Sequence, residues 1–356
     1  MAEATPPIDS PELLTWEDAR THGDWTGLLV GNGASIAFWE DFKYDSLYER
    51  SLGVLTNYAL TAEDVALFDA LRTKNFERVL ASLKTAGIVG TALSRKTDFL
   101  RTRYESVQRA LFEAVHSVHV PWGTTLNFDP SLTQIRDELA TYRWVYSVNY
   151  DLLIYWAIMT QPRARGFVDF FWHGDLTFRP DSTEPPGDRR DDTRILYLHG
   201  GIHLRRHVGG STFKARATEQ DLLSQFSTSY VGDATPLLVS EGDADDKFRA
   251  ILRSDYLEFG YRSLAGHEGD IAIFGCSLRS EDSHLRRAVN EQPISKVAIS
   301  LRRSDDPAEI VERKAERLQQ FPRSDLVFYD AETHPLGAPS IRVKRTRFGV
   351  LRRLRT

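Results

Sequence analysis

A strand that stops in glycine and turns into a helix is written into residues Leu28 to Phe38. Leu28, Leu29 and Val30 form a short apolar run, which ends at Gly31-Asn32-Gly33 and continues as Ala34, Ser35 and an apolar segment. Glycine lets backbone approach a ligand closely, and the free N–H groups at a helix start favour phosphate. Gly31, Asn32, Gly33 and Ser35 are therefore candidate contacts to a dinucleotide pyrophosphate. The third glycine of the dinucleotide fingerprint is missing, and many Gly-x-Gly turns only connect elements.

Three later runs share this grammar. Trp144-Val-Tyr-Ser-Val ends in Asn149-Tyr150-Asp151, Ile195-Leu-Tyr-Leu in His199-Gly200-Gly201, and Ile271-Ala-Ile-Phe in Gly275-Cys276-Ser277, with Asp282 and His284 beyond. Ligands of open α/β sheets lie outside the carboxyl ends of the strands. The four runs together predict an α/β fold with a Rossmann-like open, mostly parallel sheet, and one edge carrying Gly31, Asn149, His199 and Gly275. Further strands are expected at 236–239 and 294–301, and a helix at 246–265.

Residues 56–142 read as a helical insertion between the first two strands. Thr61-Ala-Glu-Asp64 is a capping pattern, and apolar residues recur at helical spacing through Phe76–Leu83 and Phe99–Val118. The aromatics of residues 35–55 are either core or a loop closing over a ligand ring. The chain divides into an N-terminal arm, 1–24, a main domain, 25–335, and a basic tail, 336–356. The arm is expected to pack loosely, anchored by Trp16 and Trp25. The tail carries seven Lys or Arg and no acid from Ile341 on, in a chain of net charge −5. It reads equally as a polyanion-binding segment and as packed structure.

The single cysteine excludes an intramolecular disulfide framework and fits a reducing cytoplasm. The N-terminus lacks the basic and apolar regions of a signal peptide, and no stretch is apolar enough to span a membrane. A cytoplasmic protein is expected.

In order and spacing, Gly-Asn-Gly-Ala-Ser, Asn-Tyr-Asp, Leu-His-Gly and Gly-x-Ser-Leu resemble the sirtuin-like NAD-binding superfamily. More narrowly, they resemble its bacterial members whose relatives hydrolyse NAD in phage defence. The resemblance spans about residues 26 to 300. It implies NAD as substrate, His199 as base near the ribose, Asn149 positioning water or ribose, and Asp151 supporting that geometry. It also implies contacts to phosphate and ribose from Gly275, Ser277 and Asp282, although Asp282 could instead cap a helix. The four-cysteine zinc module of the deacylase branch is absent. No clustered ligand set is evident from spacing, so no metal is expected. His116 and His119 lack a third ligand nearby in sequence.

Histidine suits a base near neutral pH. His173, in Phe-Phe-Trp-His-Gly, is a rival to His199, which fits the buried-strand pattern better. Cys276 reads as a small buried hydrophobe, and the basic cluster at 203–207 as a solvated hairpin turn. The resemblance points to an NAD hydrolase yielding nicotinamide and ADP-ribose, an antiviral defence effector. An ADP-ribosyl transferase or deacylase, or a non-catalytic NAD or ADP-ribose sensor, are the alternatives. Self-assembly into a homo-oligomer, a partner ATPase or an Argonaute-like partner would each fit a restrained hydrolase. Nucleic-acid contact is expected only through the tail.

Overall fold

The computed structural model describes the chain except residues 1–4, 43, 54–58, 74–75, 119–128, 208–209, 216–233, 240–243, 292–295, 346–350 and 354–356. Seven parallel strands form the central sheet: β1 (Trp25–Val30), β2 (Trp144–Ser147), β3 (Phe167–Val168), β4 (Thr193–Tyr197), β8 (Asp270–Phe274), β9 (Lys296–Leu301) and β10 (Asp325–Asp330). Their spatial order is β10-β9-β8-β1-β2-β4-β3. β8 is buried throughout, and Leu28 and Leu29 of β1 are fully buried. Strands covered on both faces read as unbroken apolar runs, which is why these were legible.

The topology itself selects a site. After β1 the chain moves outward through β2 to β4. It then returns to the other side of β1 as β8 and moves outward again through β9 to β10. This reversal between β1 and β8 opens a crevice at the carboxyl ends of the strands, where ligands of doubly wound sheets bind.

Among the described residues no sheet strand interrupts the chain between β1 and β2, as expected for a helical insertion. Its helices include Ala62–Ala70, Phe76–Ala92, Asp98–Val118 and Asp129–Leu139. Thr61 and Asp64 form a reciprocal capping box. Phe38, Trp39, Phe42 and Tyr48 are buried in the core. His119 lies outside the described residues, and so does the His116 side chain.

Several expectations are corrected. Residues 236–238 of the run at 236–239 belong to β7 (Ala234–Leu238), which pairs antiparallel with β5 (Gly200–His207) rather than joining the parallel sheet. β5 also pairs with β6 (Thr212–Lys214), completing a small second sheet. The hairpin therefore exists, and its basic cluster is divided: His203 and Arg205 are buried, with Arg205 donating to the Ile202 carbonyl, whereas Arg206 is half-buried and His207 exposed. The helix at 246–265 is two helices, Ala244–Leu252 and Asp255–Ala265, because Ser254 caps the second.

The arm does not pack loosely. Leu14 exchanges backbone hydrogen bonds with Phe328 and Asp330 of β10, and Lys314 Nζ donates to the carbonyls of Ser10 (2.8 Å) and Glu12 (2.6 Å). Trp16 and Trp25 are buried anchors. The tail begins as packed structure, with Ile341 and Val343 buried. Val343–Arg345 (β11) pairs with Leu351–Arg353 (β12). No helix among the described residues is long and apolar enough to cross a membrane.

Candidate functional site

The crevice is a cleft of about 710 Å³. Gly31, Asn32, Gly33, Asn149, Asp151, His199, Gly275, Ser277 and Asp282 all line it. Of the expected site residues, Ser35 alone does not reach the cleft.

At its floor two turns cross. The Gly31 N–H donates to the Phe274 carbonyl (2.8 Å) and the Gly33 N–H to the Gly275 carbonyl (2.9 Å). A Cβ on Gly33 would lie 2.5 Å from the Gly275 Cα, and one on Gly31 2.6 Å from the Gly275 oxygen. Gly275 itself has a φ of +66°, which disfavours a side chain. These glycines thus serve the close packing of two turns. Those two amides face the β8 turn and are not free for a phosphate, a correction to the simple cradle expected from the sequence.

Beside the crossing stands a buried polar bracket. β2 delivers Asn149, whose Nδ2 donates to the Gly31 carbonyl and to Ser35 Oγ, both at 3.0 Å. Ser35 Oγ in turn donates to Asp151 Oδ2. Asp151 Oδ1 accepts the Leu153 N–H at 2.8 Å, where the helix Leu153–Ile158 begins. Ser35 is therefore a strut between Asn149 and Asp151. Burial raises the Asp151 carboxyl above the usual carboxylate range. Asn149 Oδ1 is buried and has no hydrogen-bond partner among the described residues. Such an orphan acceptor in a cleft calls for a donor from a ligand or water.

His199 follows β4, held by the Val239 N–H on its carbonyl at 3.0 Å. Its Nε2 lies 2.9 Å from Nε2 of His284, in the first turn of the helix Ser283–Glu291. One proton joins the two rings, so one nitrogen donates and the other accepts. Burial, then the charge that His284 would carry, then Lys247, hold His199 well below the usual histidine range. Burial lowers His284 to about 4. Both rings are neutral at pH 7.

Asp282 completes the group. Its Oδ1 accepts from Lys247 Nζ at 3.0 Å, so the carboxylate is spent on an ion pair. His199, Asp282 and His284 each offer a ligand atom within 4.8 Å of the others. The structure thus assembles the His and carboxylate cluster that sequence spacing did not reveal. The buried Lys247 ammonium already neutralises Asp282, which works against a second cation there.

The β9–β10 side of the cleft is cationic. Arg279, Arg302, Arg313, Arg317 and Arg342 line it, with Glu316 and Glu332 as its acids. Arg279, Arg302 and Arg342 have no acidic partner among the described residues, whereas Arg313 pairs with Glu309. Arg317 is buried, donates to Gln320 Oε1 at 2.6 Å, and leaves Nε without a partner.

Burial pushes the Cys276 thiol up, in keeping with an inert small hydrophobe. His173 does not line the cleft. Sequence reasoning gave no role to His284, Lys247 or the arginines. A histidine in the first turn of the helix after the Gly275 turn was the one available signal for His284.

A parallel doubly wound sheet with a polar cleft at its topological switch point defines a Rossmann-like α/β protein. The chain belongs to the family described as a domain of unknown function, DUF4917, whose match covers residues 28–336. A search of curated proteins found no match.

Proposed function

We propose that this cleft binds a nicotinamide adenine dinucleotide and, with NAD as the simplest substrate, hydrolyses the bond between nicotinamide and ribose. One observation carries the reading. Two buried side chains suited to this chemistry, His199 and Asn149, open at the ends of neighbouring strands onto a cleft floored by crossing glycine turns. The motif order of the sirtuin-like superfamily adds support.

Cleavage develops positive charge on the ribose, as in glycoside hydrolysis. Nicotinamide departs neutral with the bonding electrons. Water adds to the ribose anomeric carbon, and its proton passes to His199, which is neutral and so able to accept it. Asn149 Oδ1 accepts a hydrogen bond from the water or a ribose hydroxyl, while Ser35 and Asp151 hold the amide in place. With His199 Nε2 donating to His284 Nε2, Nδ1 of His199 is the nitrogen that takes the proton. The products are nicotinamide, ADP-ribose and a proton. No metal takes part in this scheme. The antiviral effector role rests on the resemblance alone, and a hydrolase of this kind needs restraint until it is triggered.

Incubation with NAD, with and without an acceptor protein, tests the reaction. Free ADP-ribose supports hydrolysis. ADP-ribose attached to the acceptor supports transfer, and dinucleotide bound but intact supports a sensor.

A further inference from the structure

We infer that the cleft prefers a dinucleotide carrying a phosphate on its adenosine ribose, an NADP-type rather than an NAD-type ligand. This rests on the dinucleotide reading above. His199 and Asn149 follow β4 and β2, on one side of β1, and the crossing glycine turns lie between β1 and β8. A dinucleotide with its nicotinamide end at His199 passes over the crossing and lays its adenosine half beyond the ends of β8, β9 and β10.

β8, the Gly275 turn, the helix Ser283–Glu291 and β9 form one βαβ unit of parallel neighbours. In dinucleotide-binding units whose first turn carries the glycine fingerprint, an acid at the end of the second strand hydrogen-bonds the ribose 2′-hydroxyl, whereas an arginine there accommodates a 2′-phosphate. The Gly275 turn lacks that fingerprint, and only the position at the end of β9 corresponds. Arg302-Arg303-Ser304 follow β9 directly, and the two acids after them, Asp305 and Asp306, do not line the cleft. Asp306 is committed to capping the helix Pro307–Gln320 through the Ala308 N–H at 2.9 Å. Arg303 is committed to Asp330. Arg302 is exposed, lines the cleft and has no acidic partner among the described residues.

Its neighbours point the same way. Arg313 donates to the Arg302 carbonyl at 3.2 Å. Arg317 presents a buried guanidinium whose Nε is unpaired. Glu316 accepts from Gln320 Nε2 at 2.9 Å, and Glu332 is exposed. With Arg313 paired to Glu309 and Arg317 lying 3.8 Å from Glu316, Arg279, Arg302 and Arg342 face the exposed Glu332 as the cations left for a bound anion. An arginine fork matches a phosphate monoester, with its three free oxygens, better than a hydroxyl.

Titration calorimetry of the full chain with ADP-ribose and with 2′-phospho-ADP-ribose tests this, beside the Arg302→Ala and Arg302→Asp variants. The phosphorylated ligand should bind about tenfold tighter or more, since a charge-assisted hydrogen bond contributes about 1.4 kcal/mol or more. Arg302→Ala should shrink that gap and Arg302→Asp should reverse it. A melting curve checks each fold, and the wild-type comparison stands without the variants. Equal affinities, or tighter ADP-ribose, would overturn the inference and leave the dinucleotide site standing. Binding of neither ligand would overturn both. Tight binding of the phosphorylated ligand that Arg302→Asp does not weaken would remove Arg302 from the account and overturn the assignment.

Discussion

The two halves of the cleft are built on opposite principles. On the β2–β4 side, Asn149, Ser35, Asp151, His199 and His284 are buried in two bonded groups, Asn149–Ser35–Asp151 and His199–His284. On the β9–β10 side, Arg279 and Arg302 are exposed and have no acidic partner among the described residues. A buried network with few free atoms fixes orientation, which a reaction needs. An exposed set of cations offers charge without fixed geometry, which recruits an anion. Substitutions on the first side should therefore alter turnover, and those on the second should alter binding.

The largest expected effect is on the buried side. His199→Ala should lower kcat by about two to four orders of magnitude, the usual loss with a general base. Asn149→Ala should cost about a hundredfold through misorientation. His173→Ala should leave kcat near that of the wild type, because the ring lies outside the cleft. Single-turnover assays with matched melting curves separate the three. A dead His173→Ala beside an active His199→Ala would move the chemistry out of this half.

Acid should expose the same difference as stability. Burial lowers His203 to about 3 and His284 to about 4 in the folded chain, against about 6.5 unfolded. The unfolded state therefore takes up protons first as pH falls below about 6.5. Stability is full above that pH and declines down to the folded values. At pH 5 each of these two histidines should remove about 2 kcal/mol. Denaturant melts at pH 7 and pH 5 measure this, and the His203→Asn and His284→Asn variants should be less acid-sensitive. An unchanged midpoint would mean that the rings are solvated.

The arginine side should give the smallest change. Arg279→Ala should raise KM severalfold with kcat held, since one exposed charge contributes about 1 kcal/mol or less. The effect should fade in high salt. A fall in kcat without a change in KM would break the division between the halves.

What the sequence disclosed follows the same division. β1, β2, β4 and β8 could be read because each is an apolar run stopped by glycine or a polar residue. β10, Leu326-Val327-Phe328-Tyr329 stopped by Asp330, carries the same mark without a glycine, yet it is not among the strands expected from the sequence. The run in β7 resembles the others, and apolar character alone cannot say which sheet a strand joins. Asn149 and His199 were legible because each ends a strand. The pairing of His199 with His284, and of Asp282 with Lys247, joins residues distant in the chain, which spacing cannot show. The glycines were read as ligand contacts, but Gly33 is small because Gly275 packs against it. The arginines come from the Gly275 turn, the end of β9, the helix Pro307–Gln320 and the start of the tail. Only the fold makes them one wall.

The most direct test of the account combines release and binding in one pair of proteins. Wild type and His199→Ala are each incubated with NAD and with NADP, released nicotinamide is quantified by chromatography, and affinity for ADP-ribose and its 2′-phosphate is measured on the same samples. The wild type should release nicotinamide, His199→Ala should not, and both should retain dinucleotide-product binding. Equal release by both proteins, or a wild type that neither binds nor cleaves either dinucleotide, would contradict it.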